Sequence, residues 1–302
     1  MALLDPGSGP ADALGGPAAA STTAHAAGTM PRVHSRAEWG ADESIRFWDP
    51  EFPSTIKAAT IHHSADGNNY TAAQVPAMLR SIYAYHTQTR GWGDIGYNVI
   101  VDKFGRIFEG RYGGLTSTVV GAHAGGFNTF TFGVSMLGNY DLVQVPQVTV
   151  NAVSEIIAWK LGLYGVDPRG STVLTSGGGG TARYAAGQRV TLPTVFGHRD
   201  VGSTACPGQY GYARLGEIRE RVNALVGAVG RTLLRTPESA AVYVVSGTHK
   251  YPVEDLGTLA ALAPWGPWAT CRSSTWTDSP RARVSTAWCV HPQERCTSWT
   301  PG

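Results

Sequence analysis

Two histidines and a cysteine stand out as residues that could do chemistry together: His62, His198 and, shortly after it, Cys206. Imidazole nitrogen and thiolate sulfur are donors that zinc takes readily, and a catalytic zinc site uses three protein ligands with a fourth position left open. The set has the right count. Spacing alone does not separate it from ordinary structural histidines with a distant thiol. The neighbouring His63 adds a choice, because successive side chains of a strand point to opposite faces and only one of the pair can readily reach a metal. Other chemistries have less to build on. No Ser-His-Asp arrangement or dinucleotide fingerprint competes, and the run Ser176 to Gly180 (SGGGG) lacks the Lys and following Ser or Thr of a phosphate loop.

Residues so far apart in sequence need an ordered core to meet, and the composition allows one. Of 302 residues 42% are hydrophobic and 15% charged, and a net charge of +2 gives little reason to expect nucleic acid as a partner. The best apolar run, Ile156 to Tyr164, is split by Lys160 and falls short of the roughly 20 residues of a membrane span. Residues 1–30, mostly Ala, Gly, Pro, Ser and Thr, lack the basic and apolar regions of a secretory signal. Residues 1–31 hold too few large apolar side chains to offset the entropy of ordering, which predicts a disordered linker. Cysteines stand at 206, 271, 289 and 296, and only Cys206 lies in patterned sequence, so no disulfide framework is expected to support the core.

Globular patterning runs from Arg32 to about Arg235. Thr55 to His62 (TIKAATIH) reads as a strand. Thr71 to Gln74 (TAAQ) reads as a capping box opening a helix with Val75, Met78, Ile82 and Tyr85 on one face and Gly91 at its exit. Tyr97 to Glu109 reads as two β-runs around a turn at Asp102 to Gly105; there Tyr97 alternates with Val99 and Val101, as an ordinary core tyrosine would. Phe132 to Leu137 is a further strand, and Val153, Ile157 and Leu161 mark a helix over about 149–163. A short strand at Thr194 to Phe196 precedes a last helix striped by Leu215, Ile218, Val222, Leu225 and Val229. This order predicts an α/β fold, a central mixed β-sheet flanked by helices. Val242 to Pro252 could form a hairpin, and beyond about Ala269 neither period is present.

The segments IHHSA (61–65), GWGDIGYNVIV (91–101), FEGR (108–111), GAHAGGFN (121–128) and GHRDVGSTACPG (197–208), preceded by SRAEWGAD (35–42), follow one another in order. Together they resemble the successive motifs of the peptidoglycan recognition protein family, which includes amidase-type phage lysozymes and secreted actinobacterial amidases. The resemblance implies a zinc in an open peptide-binding cleft. The resemblance covers a zinc amidase domain (32–234); the linker (1–31) precedes it, and the loss of pattern after it is read as a partial or degenerate wall-binding repeat with a disordered tail (235–302).

Carried over residue by residue, the resemblance makes His62, His198 and Cys206 the zinc ligands, with His63 a packed or supporting neighbour and Tyr97 the polar residue beside the attacking water. Amidase-type phage lysozymes carry a lysine two positions before the ligand cysteine; this chain has Thr204, as recognition-protein enzymes often do. Thr204 is therefore expected to donate a hydrogen bond to the developing oxyanion. Gly91, Trp92 and Arg111 match the pattern associated with meso-diaminopimelate stems, whose extra carboxylate an arginine fork can hold, and His123 is expected in the substrate pocket. The implied activity is zinc-dependent hydrolysis of the amide between N-acetylmuramic acid and L-alanine in peptidoglycan. The implied setting is a secreted or wall-associated monomer with no membrane span. The rival is a non-catalytic peptidoglycan receptor on the same fold; members that only bind commonly lack the ligand cysteine, which this chain has.

Overall fold

The computed structural model describes residues 30–226, 232–235, 241–246, 249–253 and 255–262, with two-residue pieces at 269–270, 287–288 and 297–298. Nearly all of the expected N-terminal linker, and Cys271, Cys289 and Cys296 with most of the tail, lie outside the described residues.

Within the first span the elements are β1 (Val33–His34), α1 (Arg36–Trp39), β2 (Ala58–His63), α2 (Val75–Ala84), β3 (Val99–Val101), β4 (Ile107–Glu109), β5 (Thr131–Met136), α3 (Gln147–Leu163), β6 (Ser171–Thr175), β7 (Arg189–Pro193), β8 (Val195–Gly197), α4 (Gln209–Ala213) and α5 (Leu215–Val226). Six strands form one mixed sheet in the order β1-β4-β3-β5-β2-β8, as the sequence predicts. Only β3 and β4 pair antiparallel. Parallel strands are covered on both faces and so read as nearly continuous apolar runs; β2, β3, β5 and β8 are buried throughout. Alternation sorts their side chains. Ala59, Ile61, Val99, Val101, Val134 and Val195 join the core under α3 and α5. Ile100 and Phe108 face the other way, against Val75, Leu79 and Tyr83 of α2.

The helices depart from the expected stripes in instructive ways. The buried face of α2 is Val75, Leu79 and Tyr83, with Met78 and Ile82 at its margin, and Tyr85 is 50% exposed. The reason is a π-helical turn over Tyr85–Thr89 that follows α2 directly and carries His86 and Thr87 inward instead. In α5 the stripe ends on buried Val226, whereas Leu225 is 36% exposed and Val229 lies outside the described residues. The long α3 has no polar face: wedged between the sheet and α5, it buries almost its whole circumference, Lys160 included.

The ribbon of β6 and β7 was not expected, because each strand is short and buries a single residue, Leu174 or Leu192. Its loop is tied to the segment after His198 by an Ala182–Gly202 bridge and by bonds from Arg183 N to the Val201 carbonyl and from Ser203 N to the Thr181 carbonyl, each 2.8 Å. Farther on lie β9 (Thr232–Arg235), β10 (Val242–Ser246), β11 (His249–Pro252) and α6 (Leu256–Ala261). The hairpin expected over Val242 to Pro252 is present, with Tyr243 opposite Pro252 and Ser246 opposite His249. Leu233, Val242, Val244 and Leu262 join the α3-side core, so these residues pack on the main sheet domain, and the expected boundary after residue 234 falls inside β9. No described helix is long and apolar enough to cross a membrane.

Lys160 is 1% exposed and donates to the Leu115 and Ser117 carbonyls; among the described residues no carboxylate forms an ion pair with it, and only the more distant charge of Asp255 favours its protonated form. Burial pushes its pKa down from 10.5 to about 7. The unfolded chain then binds more protons than the folded one between about pH 7 and 10, so this group makes stability rise with pH across that window. Chemical denaturation from pH 7 to pH 9 should show a gain of about 1 kcal/mol per pH unit that Lys160→Met lacks, with the sign opposite if the ammonium were stabilised by folding.

Candidate metal centre

Parallel pairing of β2 with β8 sets Ala59 opposite Val195, Thr60 opposite Phe196 and Ile61 opposite Gly197. The next rung brings His62 beside His198, the first residue of a short 3-10 turn, and their ring centroids are 4.6 Å apart. Because Ile61 faces the α3 core, His62 projects from the opposite face of the sheet. Cys206 closes the group from a loop pinned in several places. Its carbonyl accepts from Arg199 N at 2.8 Å, its amide donates to Thr204 Oγ1 at 3.1 Å, and its sulfur accepts from His63 N at 3.3 Å. One donor atom from each of His62, His198 and Cys206 lies within 4.8 Å of the others, with His62 Nδ1 3.6 Å from the sulfur.

The donor chemistry fits a borderline cation. Burial first, then neighbouring imidazoles, holds His62 well below its ordinary pKa; burial lowers His198 to about 4, so both rings offer neutral lone pairs. Burial also pushes the Cys206 thiol up to about 12. A bound divalent charge reverses that last preference, since it stabilises the thiolate. His63 turns away from the group: its Nδ1 accepts from Tyr140 N at 3.1 Å, the packed place expected for it.

Tyr97 reaches the centre by breaking the strand alternation. Val99 and Val101 lie in the α3-side core, but Tyr97 packs on the other face, its ring 5.4 Å from that of His62. The successive carbonyls of Tyr97 and Asn98 accept from the successive amides of Arg111 and Gly110, which regular antiparallel pairing does not do; the irregularity moves Tyr97 out of the expected core register. Burial raises its hydroxyl pKa. Thr204 is half-buried, and its oxygen is occupied by the Cys206 amide, which leaves the hydroxyl hydrogen to give away.

The expected substrate residues are placed differently. His123 is 5% exposed and sits behind His62, its Nδ1 3.0 Å from His62 Nε2, so it supports the histidine and does not line an open pocket. Trp92 and Arg111 do meet, through long bonds from the guanidinium to the Ile95 and Trp92 carbonyls at 3.3 and 3.5 Å. Arg111 is nevertheless only 4% exposed, because Trp48 stacks on it with 3.8 Å from Cζ to the ring centroid, and burial lowers its pKa to about 10. Gly91 supplies a left-handed turn, φ 67°, after the π-helical turn; its contribution is backbone geometry.

Sequence reasoning missed Trp48 and His86. His86 accepts from Gly96 N at 3.1 Å and packs its ring against Trp92 (4.6 Å) and Tyr97 (5.5 Å). Only the cluster of aromatic residues around it in YAYHT hints at that role, since nothing in a helical period reveals a π-turn.

A family model described as N-acetylmuramoyl-L-alanine amidase matches residues 52–209. Peptidoglycan-recognition protein SC2 of Drosophila simulans is 31% identical over 176 residues, which cover 58% of this chain and 80% of that protein. The N-acetylmuramoyl-L-alanine amidase of Homo sapiens is 29% identical over 185 residues, 59% of this chain and 27% of that protein. The solved structure of wild-type Drosophila PGRP-LB aligns with a TM-score of 0.48 and 26% identity, covering 61% of this chain and 92% of that one. With the family model matching more than half of its length, the chain belongs to the N-acetylmuramoyl-L-alanine amidase family.

Proposed function

We propose that the protein is an enzyme, a zinc-dependent N-acetylmuramoyl-L-alanine amidase acting on peptidoglycan, with residues 32–234 as the catalytic part. The observation that carries this reading is the convergence of His62, His198 and Cys206 donor atoms within 4.8 Å, beside both Tyr97 and Thr204. A receptor that only binds has no use for a full set of three ligands around an open position. When bound there, zinc supplies Lewis acidity toward the scissile carbonyl and toward water.

The chain's own residues do the rest. Tyr97, braced by His86 and His62, orients the attacking water through its hydroxyl. Thr204 gives its hydroxyl hydrogen to the carbonyl oxygen as negative charge develops there, while its oxygen stays anchored on the Cys206 amide. His63 braces the same sulfur through its backbone amide. Stem recognition falls to Trp92 and Arg111. The Arg111 Nε has no hydrogen-bond partner, and a stem carboxylate of the diaminopimelate type would satisfy it once Trp48 moves aside. The protein would work as a monomer outside the cell or on the wall.

Incubation with purified muropeptides, read by mass spectrometry, should release stem peptide with a free N-terminal alanine, and diaminopimelate stems should be cleaved faster than lysine stems. Intact muropeptides after incubation with zinc-loaded protein would favour the receptor. Elemental analysis should find one zinc per parent chain and little in His62→Ala, His198→Ala or Cys206→Ser, because losing one of three ligands weakens such a site severely. Cys206→Ser should still bind muropeptide within about a factor of ten of the parent while releasing no stem peptide. Tyr97→Phe should keep fold and metal but lose roughly 10²-fold in turnover; an unchanged rate returns Tyr97 to a packing role.

A further inference from the structure

We infer that His123, working with Thr131, is a positioning residue that fixes which ring nitrogen of His62 presents its lone pair to the metal site, an inference that rests on the reading of His62 as a ligand. Three one-proton groups stand in a row, and their polarity is set at the far end. The Phe127 carbonyl can only accept. Thr131 Oγ1 lies 2.6 Å from it and 3.0 Å from the Asn128 carbonyl, so the single hydroxyl proton is committed to the main chain. The Thr131 oxygen then accepts from His123 Nε2 at 3.5 Å, which places the His123 proton on Nε2 and a lone pair on Nδ1. That lone pair faces His62 Nε2 at 3.0 Å, so His62 carries its proton on Nε2. The nitrogen left bare is Nδ1, the one that faces the Cys206 sulfur at 3.6 Å. Ligand histidines commonly donate their other ring N–H to a partner that fixes tautomer and orientation; here the partner is a second imidazole whose own tautomer is set by a threonine.

The slot that holds His123 is built for its ring. A Cβ on Gly133 would lie 2.4 Å from His123 Cδ2, and one on Gly121 would lie 2.4 Å from the same atom, so both neighbours must be glycine for the ring to fit. The backbone is fixed as well, with His123 N and Ala124 N both donating to Asn128 Oδ1 at 2.8 and 2.7 Å. Ring and main chain are thus held independently. Among the described residues His62 Nε2 has no other side-chain partner, so removing His123 leaves a buried N–H without an acceptor and frees the ring to take the other tautomer.

The test uses the full chain and three readouts: zinc affinity by chelator competition, the His62 tautomer in the metal-free protein by long-range ¹⁵N NMR, and the melting temperature of the metal-free protein. The parent should show His62 protonated at Nε2. His123→Ala should bind zinc about 10- to 100-fold more weakly and show mixed His62 tautomers. His123→Asn, whose Oδ1 can stand where Nδ1 stood, should recover most of the affinity and the Nε2–H tautomer, at a melting temperature like that of His123→Ala. Thr131→Val, which removes only the last acceptor, should fall between them and serves as the comparison if His123→Ala does not fold. A parent His62 protonated at Nδ1, or alanine and asparagine variants that bind zinc as tightly as the parent, would overturn the inference while leaving the zinc reading intact. A parent that binds no zinc at all would overturn both.

Discussion

The register between β2 and β8 is the constraint on which the centre depends. These parallel neighbours pair from Ala59 with Val195 to Ile61 with Gly197, and only that offset sets His62 next to His198. A slip of one residue would turn one histidine into the apolar layer under α3, where no cation could follow. The register is held because both faces of β2 are buried and chemically distinct: Ala59 and Ile61 belong to the α3-side core, and Ala58 belongs to a third cluster with Phe127 and Phe196. Cys206, 144 positions from His62, then needs only a short loop tied back to Arg199 and Thr204 to complete the group.

Charge is distributed with the same economy. Around the centre burial keeps the imidazoles and the thiol neutral, so their lone pairs are free and the only full charge the site is suited to hold is a cation brought from outside. The wall beside it is organised by paired charges instead. Arg36 donates to Asp94 at 3.1 Å and to Glu43, and Asp94 accepts from Ile95 N at 2.6 Å and Tyr112 N at 2.8 Å. That buried pair fixes the segment that runs from Trp92 to Tyr97 and the segment carrying Arg111. An unpaired partner in such a place would be costly, so the pair locks the wall without lending charge to the centre.

Much of this was legible in the sequence because strands and ligands leave strong marks. The apolar runs at β2, β5 and β8, the long helix α3 and the His62, His198 and Cys206 triad sit where pattern and motif put them. What escaped was set by geometry that a period does not encode. Strand alternation alone puts Tyr97 with Val99 and Val101 in the core and only the motif puts it at the site; an irregular pair of hydrogen bonds with Gly110 and Arg111 is what ends the alternation. Tyr85 was assigned to the buried stripe of α2 because a π-turn has no sequence period. His123 and Arg111 were expected to be open to a ligand; His123 is enclosed in a slot that needs glycine at both 121 and 133, and Arg111 is covered by Trp48 from far off in the sequence. The β6–β7 ribbon was invisible because each short strand buries one residue and its exposed positions mix polar side chains with Val173 and Pro193.

The glycine slot around His123 also changes what mutational intolerance means in this protein. Gly121 and Gly133 carry no functional group, yet any side chain at either position meets the imidazole at 2.4 Å. In a saturation library scored by activity they would rank beside the ligands themselves. A map of such scores would then outline the histidine–cysteine centre one layer too thick, and the layer would separate only when abundance and metal content were scored alongside.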